Sequence, residues 1–303
     1  EVKVKEEVRD DVTVYIHSAV KNNGTKRHGL TIAQKGINIF PTIYLEEYYE
    51  FYQATKELDT VIDLVAGLYQ SLPAIQVDEK KLLDYSAAKS RIIMKLVKTE
   101  KNRTFLETAP HIPFQDLSIV YHYLIGKSDR MLLSMPVNDE VLKEWGVDTL
   151  ELHQQSLANY SRLLQIIFAN LNQHLLDRGF LKSEYYAAIS DNGPNKDMYF
   201  LTNEYFSCGA VLMTCKNLMD EIADFFKEDF YIIPSSIHEV ILFPRSKAPS
   251  KKELDRLIQK VNQEYLDPEE YLSDHAYYYS KSGQGTGEYF MQNLLLHSPG
   301  TIS

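Results

Sequence analysis

The feature that most constrains this chain is the segment 230–244, FYIIPSSIHEVILFP, where two apolar runs of strand character flank a short polar insert. Strands joined by so short a link pair as antiparallel neighbours, because a parallel partner needs a long crossover. The same grammar recurs near the start. Asp11 to Val20 alternates as a strand, and Lys21-Asn22-Asn23-Gly24 supplies an Asn-Gly turn. His28 to Gln34 and Ile37 to Leu45 follow as two more strands, punctuated by Lys35-Gly36. Residues 11–45 are therefore expected to form a three-stranded antiparallel meander.

The pattern then turns helical. Leu45, Tyr48, Tyr49 and Tyr52 share one face, and Leu58 to Leu72 continues with Val61, Leu64, Val65 and Leu68 until Pro73 interrupts. Lys80 to Lys101 reads as a further long helix. Pro110 and Pro113 mark a junction, since proline resists both helix and central strand. Beyond it, Leu117 to Ile125 and Arg130 to Met135 read as paired strands. Asn138 or Asp139 caps a short helix that ends before Gly146. Asp148 and Glu151 form a capping-box pattern for the next helix, with Leu150, His153, Leu157 and Tyr160 on one side. Helix is expected to resume from Ser161 to Leu176.

In the last third, Tyr199 to Asn203 and Ala210 to Thr214 read as strands, and Leu218, Ile222, Phe225 and Phe226 mark an amphipathic helix. Ser250 and Glu253 form a second capping box, and Ala276 to Tyr279 closes the sheet. The fold class that follows is α+β, with mostly antiparallel sheets, flanking helices and two sub-domains. The expected division is 1–105, a meander plus helices, and 106–282, an α+β domain, followed by a flexible or docked tail at 283–303.

Composition narrows the function. With 42 acidic against 32 basic residues, the net charge of -10 repels nucleic-acid phosphates and anionic membranes. No apolar run is long enough to span a bilayer. Cys208 and Cys215 are the only cysteines among 303 residues, too few for a disulfide framework, which suits a cytoplasmic setting. Both stand in apolar surroundings and read as small buried hydrophobes.

Chemistry concentrates in the insert of the opening segment. Ser235 or Ser236 offers a nucleophile, His238 a base, and Glu239 or Asp274 an orienting carboxylate. His275 precedes the closing strand and could approach His238. Against this, Ser and His so close on one turn rarely reach hydrogen-bonding geometry, and no Gly-x-Ser-x-Gly elbow is present. His238, Glu239, Asp274 and His275 are also suitable metal donors, but they lack the His-Glu-x-x-His spacing, and neighbours on a strand point to opposite faces. No metal or cofactor is expected. Neither phosphate-loop motif occurs, and Gly283-Gln284-Gly285-Thr286-Gly287 lacks the lysine and the strand-to-helix context.

Twenty-one tyrosines against one tryptophan make the remaining oddity, with clusters at 48–52, at Tyr185-Tyr186 and at Tyr277-Tyr278-Tyr279. A ring with one polar tip suits strands and interfaces. The expectation is a non-catalytic cytosolic module that binds protein. The alternative is a hydrolase-like or metal-assisted enzyme centred on the PSSIHE turn and Asp274-His275.

Scattered motifs carry a resemblance. They are Lys21-Asn22-Asn23-Gly24, Pro41-Thr42-Ile43-Tyr44-Leu45, His111-Ile112-Pro113-Phe114 with Asp116-Leu117, Trp145-Gly146-Val147, the run from Pro234 to Ile241, and Ser273-Asp274-His275. Together they resemble an uncharacterised bacterial family of unknown function, more distantly similar to the YtpQ-like uncharacterised proteins. The resemblance implies a bacterial intracellular protein and brings no established catalytic residues.

Overall fold

The structure is a computed structural model that describes residues 12–35, 38, 40, 42–71, 78–128, 131–172 and 197–281. The chain divides into two compact units, Glu1–Leu82 and Leu83–Ser303. The Pro73 break, the Tyr185-Tyr186 pair, the Gly283 to Gly287 stretch and the tail lie outside the described residues.

The first unit contains the expected meander. Strands β1 (Val12–Val20), β2 (Lys26–Gln34) and β3 (Thr42–Tyr44) pair antiparallel in that order. Asn23 and Gly24 close the first hairpin with φ of 60° and 71°, the left-handed region that asparagine and glycine tolerate best. Two helices follow, α1 (Glu46–Thr55) and α2 (Leu58–Ser71). Ile32, Ile43 and Ala66 are buried.

The chain leaves this unit through α3 (Glu79–Leu83) and continues with α4 (Tyr85–Ala88). The long helix expected over 80–101 stops there, because residues 92–98 form β4 (Ile92–Lys98). Ile-Ile-Met-Lys-Leu-Val-Lys has apolar residues on both faces, and a strand buried on both sides loses the alternation that distinguishes it from a buried helix. After α5 (Arg103–Leu106) come β5 (His111–Phe114), β6 (Leu117–Ser128) and β7 (Met131–Pro136). Long β6 pairs with β4 along one edge and with β5 and then β7 along the other. The register shifts between Leu124 and Gly126, where a bulge re-aims the strand. The expected junction at 104–113 thus falls within the second unit, and Pro113 lies on edge strand β5, where its missing N–H costs no ladder bond.

Helix α6 (Asp139–Trp145) is capped by Asn138 and ends at Gly146 with φ 66°. Helix α7 (Thr149–Leu163) starts at Asp148, whose carboxylate accepts the Glu151 amide at 2.8 Å. Its buried side is polar as well as apolar. Asn159 donates to the Lys89 and Ile92 carbonyls, and the Tyr121 hydroxyl meets His153 Nδ1 at 3.0 Å. Burial pushes His153 down to about 4, so its ring is neutral at pH 7. Of the residues expected together on one side, His153 and Tyr160 are buried, with Leu152, Ser156 and Asn159 beside them, whereas Leu150 is 45% exposed. The helix expected to resume to Leu176 also ends early, because Ile166–Asn170 form β8.

Strands β9 (Tyr199–Asn203), β10 (Phe230–Pro234), β11 (Val240–Pro244) and β12 (Tyr277–Tyr279) complete a five-stranded antiparallel sheet in the order β12-β10-β11-β9-β8. The opening segment is indeed a hairpin, with Phe230 opposite Pro244 and Pro234 opposite Val240. Helix α8 (Lys216–Phe226) sets Phe226 edge-on against Phe230, and α9 (Lys251–Glu264) packs Leu254 and Ile258 on Ile233 and Phe243. Ser250 and Glu253 form the expected capping box on α9. The segment 210–214 is a correction: Gly209–Thr214 is a 3-10 helix, entirely buried. A short buried apolar run has no periodicity to separate the two states.

The tyrosine triplet of β12 goes into this framework. Tyr277 donates to Asp116, Tyr278 to Asp229 and Tyr279 to Asp220, at 2.6, 2.7 and 2.5 Å. Among the described residues, no helix is long and apolar enough to cross a membrane.

Candidate active site

Strand β9 ends at Asn203, whose side chain holds the following turn. Its Oδ1 accepts the Tyr205 amide, and its Nδ2 donates to the Ser207 carbonyl at 2.8 Å and to the Tyr160 hydroxyl at 3.0 Å. The turn passes through Phe206 and Cys208 in left-handed conformation, with φ of 49° and 54°. A non-glycine residue there costs of order 1–3 kcal/mol, and such strain gathers where surrounding structure fixes a functional side chain. The 3-10 helix then begins at Gly209. Strand, strained cysteine and helix together place Cys208 in a sharp turn, and the residue is half-buried.

The β10–β11 loop brings His238 to it. Gly209 and Ala210 donate their amides to the carbonyls of His238 and Ile237, at 2.8 and 3.3 Å, and the Thr202 hydroxyl adds a second bond to the His238 carbonyl at 2.8 Å. These two amides therefore clamp the loop. The Ile237 amide donates in turn to the Glu270 carbonyl at 2.8 Å, pinning the same loop to the turn after α9. As a result His238 Nε2 stands 3.5 Å from Glu270 Oε1, while Nδ1 accepts the backbone amide of Cys208 at 3.1 Å.

A ring that accepts this amide is the neutral imidazole with its proton on Nε2 facing Glu270, whereas the imidazolium carries a proton on Nδ1 as well and turns a donor toward Cys208. Nδ1 faces the Cys208 backbone, and a proton gained there ends the amide contact and lets the ring donate on the Cys208 side. Electrostatics favour that protonation. Burial raises the Cys208 pKa, but the Lys95 charge, the interaction with His238 and the Ser207 hydroxyl outweigh it and bring the thiol down to about 7. For His238, burial favours the neutral ring and is outweighed by Cys208 and Glu270, which raise it to about 9. Between about pH 7 and pH 9 the pair is a thiolate and an imidazolium.

Gly209 is where this assembly tolerates no side chain. A Cβ there would lie 2.4 Å from Thr202 Oγ1 and 2.7 Å from the His238 carbonyl oxygen. Gly209→Ala is expected to cost roughly 1–3 kcal/mol, as overpacking does. It also separates Cys208 from His238 and slows thiol alkylation. Denaturant unfolding and an alkylation time course check this; a variant unchanged in both would contradict the clamp.

The residues expected from sequence fall in several places. Ser235 donates to Glu239 at 3.4 Å, and buried Ser236 accepts the His238 amide at 2.9 Å, so these three order the loop. Asp274 accepts from Asn262 at 3.3 Å. His275 lies with Ser273 and with Asp116, its Nε2 3.6 Å from Asp116 Oδ1. Asp116 also holds Lys98 and Tyr277. Burial raises the Asp116 pKa, but the bonds from Lys98 and Tyr277 and the Lys98 charge outweigh it and keep the carboxyl ionised below its ordinary range. Only His238, of the six, stands in the cysteine cluster. Cys208 and Glu270 were missed; the available signal for the first was Ser207-Cys208-Gly209 just beyond a strand. Among the described residues, no three His, Cys, Asp or Glu side chains are grouped to hold a metal ion.

Neither the curated proteins nor the solved structures contain a match to this chain. One family model does match, described as a family of unknown function, DUF5688, and it covers residues 1–281. The chain belongs to the DUF5688 family.

Proposed function

We propose that the protein is a thiol-dependent acyl-transfer enzyme, with Cys208 as nucleophile, His238 as general acid and base, and Glu270 orienting the ring. The observation that carries this reading is the strained Cys208 beside an imidazole whose other nitrogen faces a carboxylate. The Cys208 sulfur forms a bond to the substrate carbonyl carbon, and the bond to the leaving group breaks. The proton taken from the thiol by His238 passes to the leaving group. Water then attacks the thioester, gives its proton to His238, and the thiol returns as the acid departs. Glu270 steadies the imidazolium formed on the way, as the carboxylate of a catalytic triad does. A reducing cytoplasmic setting, in which both unbridged thiols persist, fits this chemistry.

p-Nitrophenyl acetate serves as a probe acyl donor. Expected is one acetyl group on the Cys208 peptide with a matching burst of nitrophenolate, absent in Cys208→Ala. In His238→Ala at pH 7 the burst slows on the order of 10²-fold, the scale of general-base assistance. Acetylation confined to other residues, or an unchanged burst in either variant, would overturn the assignment.

A further inference from the structure

Three lysines lie on β4 and the turn after it, and two are committed. Lys98 pairs with Asp116, and the Lys101 ammonium sits 3.8 Å over the Tyr271 ring. Lys95 differs. Its Nζ reaches the Ser134 hydroxyl at 2.9 Å, and among the described residues no carboxylate pairs with it. Ser134 Oγ lies 3.3 Å from His122 Nδ1. Burial, and then the Lys95 charge, hold His122 well below the usual histidine range, so it is neutral, and in the tautomer protonated on Nε2 its Nδ1 takes the Ser134 proton. Ser134 offers a lone pair to Lys95, and among the described residues no partner takes the other two ammonium N–H groups.

The 3-10 helix that begins after Cys208 packs against β4, the strand that carries Lys95, and the Lys95 charge lowers the pKa of the thiol. Lys95 is half-buried and reaches solvent. One cation with two spare donors matches a carboxylate monoanion, whereas a phosphate dianion would need further donors or charge.

We propose that Lys95, steadied by Ser134, is an anion-recognition residue beside Cys208 and takes the carboxylate of a substrate that carries one near its reacting carbon. This rests on Cys208 being the nucleophile. The subsite selects acidic acyl groups over neutral ones of the same size, which explains why a lone lysine is held without a protein carboxylate.

Iodoacetate and iodoacetamide, nearly isosteric and differing in charge, test it on the full chain. Both consume the same thiolate, so their rate ratio at Cys208 cancels the thiolate population. The iodoacetate-to-iodoacetamide ratio is expected to be roughly 3- to 10-fold higher in the wild type than in Lys95→Met, as for one screened charge pair. Lys95→Arg keeps the wild-type ratio, and added salt lowers it in the wild type without any substitution. Equal ratios in the wild type and Lys95→Met, or a salt-independent ratio, would overturn the subsite while leaving Cys208 reactive. Failure of both reagents to modify Cys208 would overturn the nucleophile and the subsite with it.

Discussion

At pH 7, iodoacetamide is expected to alkylate Cys208 on the order of 10²-fold faster than Cys215, as the difference in thiolate population exceeds the loss of intrinsic nucleophilicity. Both cysteine residues are half-buried and burial acts on both thiols, so access alone does not separate them. Burial raises both. At Cys208 it is overcome by Lys95, His238 and Ser207, leaving the thiol at about 7; at Cys215 only Thr214 opposes it, and the thiol rises to about 12. Five units of difference in acidity make thiolates at Cys208 roughly 10⁴- to 10⁵-fold more abundant at pH 7. A Brønsted slope of about 0.4–0.5 returns about two of those powers of ten to Cys215. Peptide-resolved mass spectrometry of a timed alkylation reads the ratio. Equal rates at the two cysteines would remove the electrostatic basis of the site.

Phe230→Ala is expected to lower the unfolding free energy by about 3–5 kcal/mol, the range for deleting a buried aromatic ring. Phe230 is fully buried, pairs with both Pro244 and Tyr279, and stacks on the Tyr279 ring at 5.3 Å with Phe226 edge-on at 5.5 Å. Its loss opens a cavity where α8 meets the sheet, and the neighbouring rings are already fixed by others. Phe226 touches Phe168, Tyr199 and Phe225, and Tyr279 is tethered to Asp220. Collapse into the void is therefore limited. Denaturant titration followed by far-ultraviolet dichroism measures the change; a loss below about 1 kcal/mol would show a sheet that repacks freely.

Local signals carried the elements that local chemistry dictates. Asn23-Gly24, the caps at Asn138 and Asp148, the capping box at Ser250 and the hairpin around Pro234 to Val240 all appear where the residues place them. What failed was the assignment of buried apolar runs. Ile92 to Lys98 is a strand rather than a helix, Ile166 to Asn170 likewise, and Gly209 to Thr214 is a 3-10 helix rather than a strand. In Ile92 to Lys98 and Gly209 to Thr214 burial erases the polar alternation that tells these states apart, and Ile166 to Asn170, half-buried throughout, is too short a run to show a period.

The site was illegible for a different reason. Cys208 stands 30 residues from His238, and Glu270 lies about as far again along the chain; the backbone clamps from Gly209, Ala210 and Ile237, with the Thr202 hydroxyl, bring them together. The conspicuous cluster of Ser235, Ser236 and Glu239 instead orders the loop that delivers His238. Tyrosine richness had a comparable double meaning. Tyr121, Tyr160, Tyr277 and Tyr279 are buried, whereas Tyr15, Tyr49 and Tyr265 are exposed.

The most direct test of the cysteine–histidine–glutamate site is the pH dependence of Cys208 alkylation in the full chain. The groups acting on this thiol are Lys95, His238 with Glu270 behind it, and Ser207. Their combined effect predicts a rate that rises with pH through a midpoint of about 7. The sign follows from the favoured ion: stabilising the thiolate moves its appearance to lower pH. A midpoint at or above about 8.5, the range of an unassisted cysteine, would show that Cys208 is an ordinary thiol and would contradict the assignment.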